Sequence, residues 1–101
     1  MYKIVYLPTA RQQLEGAVIY IAIDLNAPDA AMKLADEVDE AVQKLKEMPY
    51  RFPIYHTLYA MKHEIRFFTV KNYNVYYVID EDTKTVEIWR ILPRLQKQER
   101  C

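Results

Sequence analysis

The stretch EIRFFTVKNYNVYYVIDEDTKTVEIWRIL, residues Glu64–Leu92, decides the fold. Ile65–Val70 and Tyr73–Ile79 are dense in β-branched and aromatic residues, which favour a pleated, half-buried chain. Only Lys71-Asn72 separates them, a connection short enough for a tight reversal. After the polar break Asp80-Glu81-Asp82-Thr83-Lys84, Val86–Leu92 supplies a third run. Three consecutive strands with short connections form an antiparallel meander. Side chains alternate along a strand, so Arg66, Phe68 and Val70 share one face while Ile65, Phe67 and Thr69 share the other. The same alternation puts Arg90 on the face of Val86 and Ile88, with Glu87, Trp89 and Ile91 opposite. Two arginines thus interrupt otherwise apolar strands, and each needs a polar partner or a function.

Upstream, Tyr2–Leu7 reads as a short strand ended by Pro8. Thr9-Ala10-Arg11-Gln12 has the form of a capping box, which predicts a helix starting there. Ala10, Leu14, Ala17, Val18, Ile21, Ala22 and Leu25 then recur at steps of three and four, one apolar stripe along that helix. Asn26-Ala27-Pro28 breaks it and opens a second helix, with Asp29 suited to the positive end of the helix dipole. Ala31, Leu34, Val38, Ala41, Val42 and Leu45 form its apolar face, and Met48-Pro49 stops it. Two helices in immediate succession make an antiparallel hairpin. Residues 50–62 are irregular, with Pro53 amid Tyr50, Phe52, Tyr55 and Tyr59, and are expected to form a rim over the sheet. The predicted fold is α+β, in the order β-α-α-β-β-β: a helix hairpin on one face of a four-stranded, mostly antiparallel sheet. The other sheet face is left open, and function is expected there.

Composition narrows the possibilities. A chain of 101 residues, 51% apolar and 28% charged, is one ordinary globular domain with room for one core. Nine tyrosines suit strands that are half exposed under a partner. The formal net charge is zero, so nothing pulls the whole molecule towards nucleic acid. Charge is nonetheless uneven: Asp24–Glu47 carries seven acids against three bases, whereas residues 90–101 carry Arg90, Arg94, Lys97 and Arg100 against Glu99. The single cysteine, Cys101, allows no internal disulfide. No apolar run approaches a membrane span and Met1 is followed by strand-like sequence, so no membrane partner and a cytoplasmic location are expected.

Common catalytic signatures are missing. Gly16, the only glycine, lies within a helical stripe, so there is no phosphate-binding glycine loop. His56 and His63 lack zinc-site spacing, and neither a metal nor another cofactor is expected. What remains is a set of polar groups at strand ends: Lys62, His63, Glu64 and Arg66 entering the meander, and Arg90, Arg94 and Lys97 leaving it. If they converge on the open face, they suit a phosphodiester. Arginine offers fixed donors to phosphate oxygens and offsets the charge that develops on a phosphorane. Tyrosines such as Tyr73 would stack on bases. Cleavage would use Glu64, His63 or Lys62 as base for a ribose 2′-hydroxyl. The competing reading pairs the arginines with Glu64 or Glu87 and gives Tyr73, Tyr76 and Tyr77 to sheet packing.

Taken in order, the chain resembles the RelE/ParE superfamily of type II toxin-antitoxin toxins, the plasmid-stabilisation family. The marks are Tyr2-Lys3-Ile4-Val5-Tyr6, Ala10 with Leu14, Tyr20-Ile21, the Pro28–Ala31 helix start and Leu45 before Met48-Pro49. They continue through Arg66, Val70, Asn72-Tyr73, Val75 and Tyr77 to Val86, Ile88 and Arg90-Ile91-Leu92. The resemblance implies the β-α-α-β-β-β fold and a growth-inhibiting toxin held silent by a cognate antitoxin, with operator DNA met only through the antitoxin complex. It also implies a target: the ribosome and its mRNA, cut by a metal-independent endoribonuclease (mRNA interferase), or alternatively DNA gyrase, inhibited without cleavage. A degenerate, non-catalytic antitoxin- or operator-binding partner is a third outcome. For the nuclease, Arg66, Arg90, Glu64 and Lys62 are the expected catalytic set, and Arg94, Lys97, His63 and Tyr73 the RNA contacts. Two departures stand out: Pro93 follows Arg90-Ile91-Leu92 where many relatives have His, and no tyrosine occurs after Tyr77.

Overall fold

The computed structural model describes residues 1–56 and 63–94. Its elements are β1 (Lys3–Tyr6), α1 (Pro8–Ile19), a π-helical turn (Tyr20–Asp24), α2 (Pro28–Lys44), β2 (Ile65–Val70), β3 (Tyr73–Asp80) and β4 (Thr85–Pro93). The strands form one sheet in the order β1-β4-β3-β2. The meander is antiparallel throughout, and β1 adds to β4 in parallel. This is the predicted architecture, and both helices lie on one face. Leu34, Val38 and Val42 of α2 and Leu45 just after it meet Val75, Tyr77, Val86, Ile88 and Ile91 of the sheet in a single buried cluster. No helix among the described residues is long and apolar enough to cross a membrane.

The structure corrects four local expectations. Thr9 makes no capping bond: the N-cap is Leu7, two residues earlier, with Pro8 in the first turn, where a missing amide hydrogen costs nothing. The long stripe to Leu25 is broken by the π-helical turn, in which the Leu25 amide donates to the Tyr20 carbonyl at 3.1 Å, five residues back. That one added residue rotates the next part of the chain by about 100° about the axis, and Leu25 is exposed rather than packed. The second helix ends at Lys44, earlier than Met48-Pro49 implies, and the chain continues as a hydrogen-bonded turn. Fourth, a bulge interrupts the pairing of β3 with β4, so that Tyr76 opposes Arg90 but Tyr77 opposes Ile88. Trp89 is the extra residue. Beyond it the alternation slips, so Ile91 joins Val86 and Ile88 in the core and Arg90 emerges on the opposite face.

The two edges of the sheet are finished differently. Along β2, Ile54 bridges to Arg66, the Tyr55 amide donates to the Ile65 carbonyl (2.6 Å) and the Phe67 amide to that of Pro53 (3.2 Å). Residues 53–55 therefore cover a strand edge that would otherwise pair with another chain. On the β4 side, β1 ends opposite Ile88. Past that point the Ile91 amide donates to Gln13 Oε1 of α1 (2.8 Å), so a helix side chain takes over where the neighbouring strand stops.

Candidate functional site

The register assigns the two conspicuous arginines to opposite faces of the sheet. Arg66 opposes Tyr77, whose side chain is wholly buried on the helix-covered side. Its two terminal nitrogens are spent on the protein, while its Nε is buried without a partner among the described residues. One terminal nitrogen donates to the Phe52 carbonyl (2.7 Å) and to that of Tyr50 (3.5 Å), the other to Glu64 Oε1 (3.1 Å). The guanidinium carbon also lies 5.0 Å from the centre of the Tyr50 ring, within cation–π range. With a side chain only 15% exposed, Arg66 fastens the segment after α2 to the end of the sheet. Two neighbours assist. Phe52 stacks on Phe68 with ring centres 4.7 Å apart, and the Tyr77 hydroxyl donates to the Pro49 carbonyl at 2.7 Å. Burial pushes the Tyr77 phenol up to about 12, so it stays a donor at any physiological pH.

Arg90 is the converse. It is exposed, opposes Tyr76 on the open face, and among the described residues donates only to the carbonyl of Trp89 (2.8 Å). Among the described residues no carboxylate lies within ion-pair distance of it. Around it Tyr55, Ile65, Tyr76, Trp89 and Leu92 line a groove of about 310 Å³. The rings are mutually braced: Phe67 and Tyr76 stack at 5.9 Å, and Tyr55 meets both edge-on at 5.9 and 5.2 Å. Asn74, itself bonded to Thr69, donates to the Tyr76 hydroxyl (3.2 Å) and fixes that ring. Trp89 donates to Glu87 Oε1 (3.1 Å) and carries the His63 ring edge-on at 5.6 Å. An exposed guanidinium in a floor of held aromatic faces can grip a carboxylate or phosphate while a flat or apolar group packs beside it. Proton transfer needs a base within reach of the reacting group, and Glu64 is turned instead towards Arg66.

The predicted residues are thus divided. His63 and Arg90 meet on the open face through Trp89, and Arg94 sits at its exposed end, its amide donating to the Asn72 carbonyl at 2.8 Å. Arg66, with Glu64 bound to it, and Tyr73 belong to the other side. Tyr73 pairs with Val70 and packs against the core, and burial raises its phenol, with Tyr20 adding to the rise. Lys62 and Lys97 lie outside the described residues. Tyr55, Phe67, Tyr76 and Trp89 were not singled out from sequence as site residues. The signal for them was the density of aromatics in the strands and the loop before them.

A further polar cluster sits at the β3–β4 turn. Glu81 accepts from the hydroxyls of Tyr2 (2.8 Å) and Tyr50 and from Lys84 Nζ (2.8 Å). These donors hold its carboxyl down at about 2, Lys84 contributing most, while the bond from Tyr50 raises that phenol to about 12. The cluster ties the start of the chain and the segment after α2 to the hairpin.

Comparison with known proteins agrees with this fold. Among solved structures, a chain of the chromosomal ParDE toxin-antitoxin system from P. aeruginosa superposes with a TM-score of 0.72 at 16% identity, covering 94% of this chain and 98% of that one. A chain of the RelBE2 toxin-antitoxin complex from Mycobacterium tuberculosis gives 0.61 at 23% identity, over 92% and 98%. For the archaeal RelE–RelB complex from Pyrococcus horikoshii OT3 the values are 0.57 and 14%, over 95% and 98%. These likenesses establish the shared fold. No curated protein matches the sequence. Residues 4–98 match the family described as the ParE toxin of the type II toxin-antitoxin system parDE, and the chain belongs to that family.

Proposed function

We propose that this protein is the growth-inhibiting half of a two-protein module, silenced by a cognate antitoxin, and that it inhibits DNA gyrase by binding through the open sheet face around Arg90. The observation that carries this reading is the separation of Arg66 from Arg90 by the thickness of the sheet. A ribonuclease built on both arginines would need them around one phosphate. Here Arg66 and Glu64 are bonded to each other, and Arg66 also to the backbone of the preceding segment. What the open face offers is a grip: Arg90, without an ion-pair partner among the described residues, and a set of braced aromatic surfaces, the composition of a protein-binding hot spot. Membership of the ParE family supports the same target. The antitoxin is expected to cover this face with a helix or strand, since it is the exposed aromatic surface of the sheet.

Ribosome-dependent cleavage of mRNA is the second reading, favoured by Arg90 standing beside rings that can stack on bases. Two assays separate them: supercoiling by purified gyrase, and primer extension on messages from cells in which the protein is induced without antitoxin. The proposal expects blocked supercoiling and intact messages. Phased cuts in messages with normal supercoiling would overturn it in favour of the endoribonuclease. An antitoxin complex that leaves amide exchange across 65–91 unchanged would overturn the assignment of the antitoxin to this face.

A further inference from the structure

The helix hairpin carries a second surface that neither arginine serves. At its tip Ile19 is 58% exposed, Tyr20 48%, Ile23 71% and Leu25 54%, with Met32 at 61% on the first turns of α2. Single exposed apolar residues are ordinary, but four within seven positions are not. For Leu25 the cause is local. The π-helical turn widens the last turn of the first helix, and the added residue takes Leu25 off the core stripe. In a regular α-helix Leu25 would have continued the stripe of Val18 and Ile21, so the turn takes that apolar side chain off the stripe.

The charges around the tip say what covers it. Glu15, Asp24 and Asp29 are exposed, and among the described residues none has a cation within ion-pair distance; of the nearby bases Lys71 is paired with Glu37 (3.5 Å), which leaves Lys33. This acidic rim disfavours an anionic lipid surface or a nucleic acid, and it complements cations. We infer that the hairpin tip is a protein-docking surface for an amphipathic helix with an apolar stripe flanked by lysine or arginine. The occupant would seat its stripe on Ile19, Ile23 and Leu25 and its cations on Asp24 and Asp29. Because α1 and α2 cover the sheet face opposite Arg90, this partner and one on the open face bind without excluding each other. The inference does not depend on which target the open face takes.

The test is an amide chemical-shift titration of the full chain with two synthetic amphipathic peptides that share one leucine stripe, flanked in one by lysines and in the other by glutamates. The lysine peptide is expected to shift amides in 15–36 saturably, about tenfold more tightly than the glutamate peptide, with affinity falling as salt is raised. Ile23→Asp and Leu25→Ser, both at exposed positions, should each abolish those shifts and leave the remaining spectrum in place. Arg90→Ala should change nothing in this titration. Equal binding of both peptides, no saturable binding, or shifts centred on β2–β4 would overturn the inference. So would concentration-dependent shifts in 15–36 without peptide, which would make the occupant a second copy of this chain.

Discussion

Arg66 and Arg90 sit on strands of the same sheet, in similar apolar surroundings, and they do opposite things. Arg66 faces the helices and is consumed by two carbonyls, a carboxylate and an aromatic ring. Arg90 faces away, bonds only its neighbour's carbonyl among the described residues and stands over a groove. The difference lies in the backbone rather than in the residue type. One bulge at Trp89 decides which side of the sheet β4 shows beyond Ile88. Arg66 keeps its buried Nε without a partner among the described residues, but both terminal nitrogens are committed to the fold; an exposed guanidinium without such commitments is free to serve a partner.

The contrast can be broken from the covered side first. Leu34→Ala empties a fully buried position of the core cluster and should lower the unfolding free energy by about 3 kcal/mol in urea titrations. Next comes Arg66→Met, which leaves the Phe52 carbonyl and Glu64 without their donor; a loss of roughly 2 kcal/mol is expected. Gln13→Ala orphans the Ile91 amide beyond the end of β1, for about 1 kcal/mol by the same measurement. Smallest is a pH effect. Glu81 is held at about 2, below its ordinary 4.5, so its clamp stabilises the fold above the ordinary value and is lost as pH falls from there through about 2. Glu81 is exposed and its contribution screened, so only the slope is predicted: thermal midpoints followed from pH 4.5 downward should fall more steeply in the parent than in Glu81→Gln.

Most of the architecture was legible because it rests on periodicity. Alternation in Ile65–Val70 put Arg66 with Phe68 and Val70, and the structure keeps those three on one face. Steps of three and four located Leu34, Val38 and Val42, all buried. What escaped is what breaks a period. The bulge at Trp89 and the π-helical turn at Tyr20–Asp24 each insert one residue, and no composition signal marks either insertion. Arg90 was therefore expected beside Val86 and Ile88, and Leu25 in the core. The groove was illegible for a related reason. Tyr55, Tyr76 and Trp89 come from separate segments, and their meeting depends on residues 53–55 lying along β2, a long-range contact that no local pattern encodes.

One paired measurement bears most directly on the division between the faces: growth inhibition on induction without antitoxin, together with the thermal midpoint of the purified protein, for Arg90→Ala beside the parent. Arg90→Ala is expected to lose growth inhibition while its midpoint stays within about 2 °C of the parent, since the exposed side chain's one bond among the described residues is to its neighbour's carbonyl. Full inhibition by Arg90→Ala, or loss of inhibition only through collapse of the midpoint, would contradict the claim that Arg90 serves the target rather than the fold.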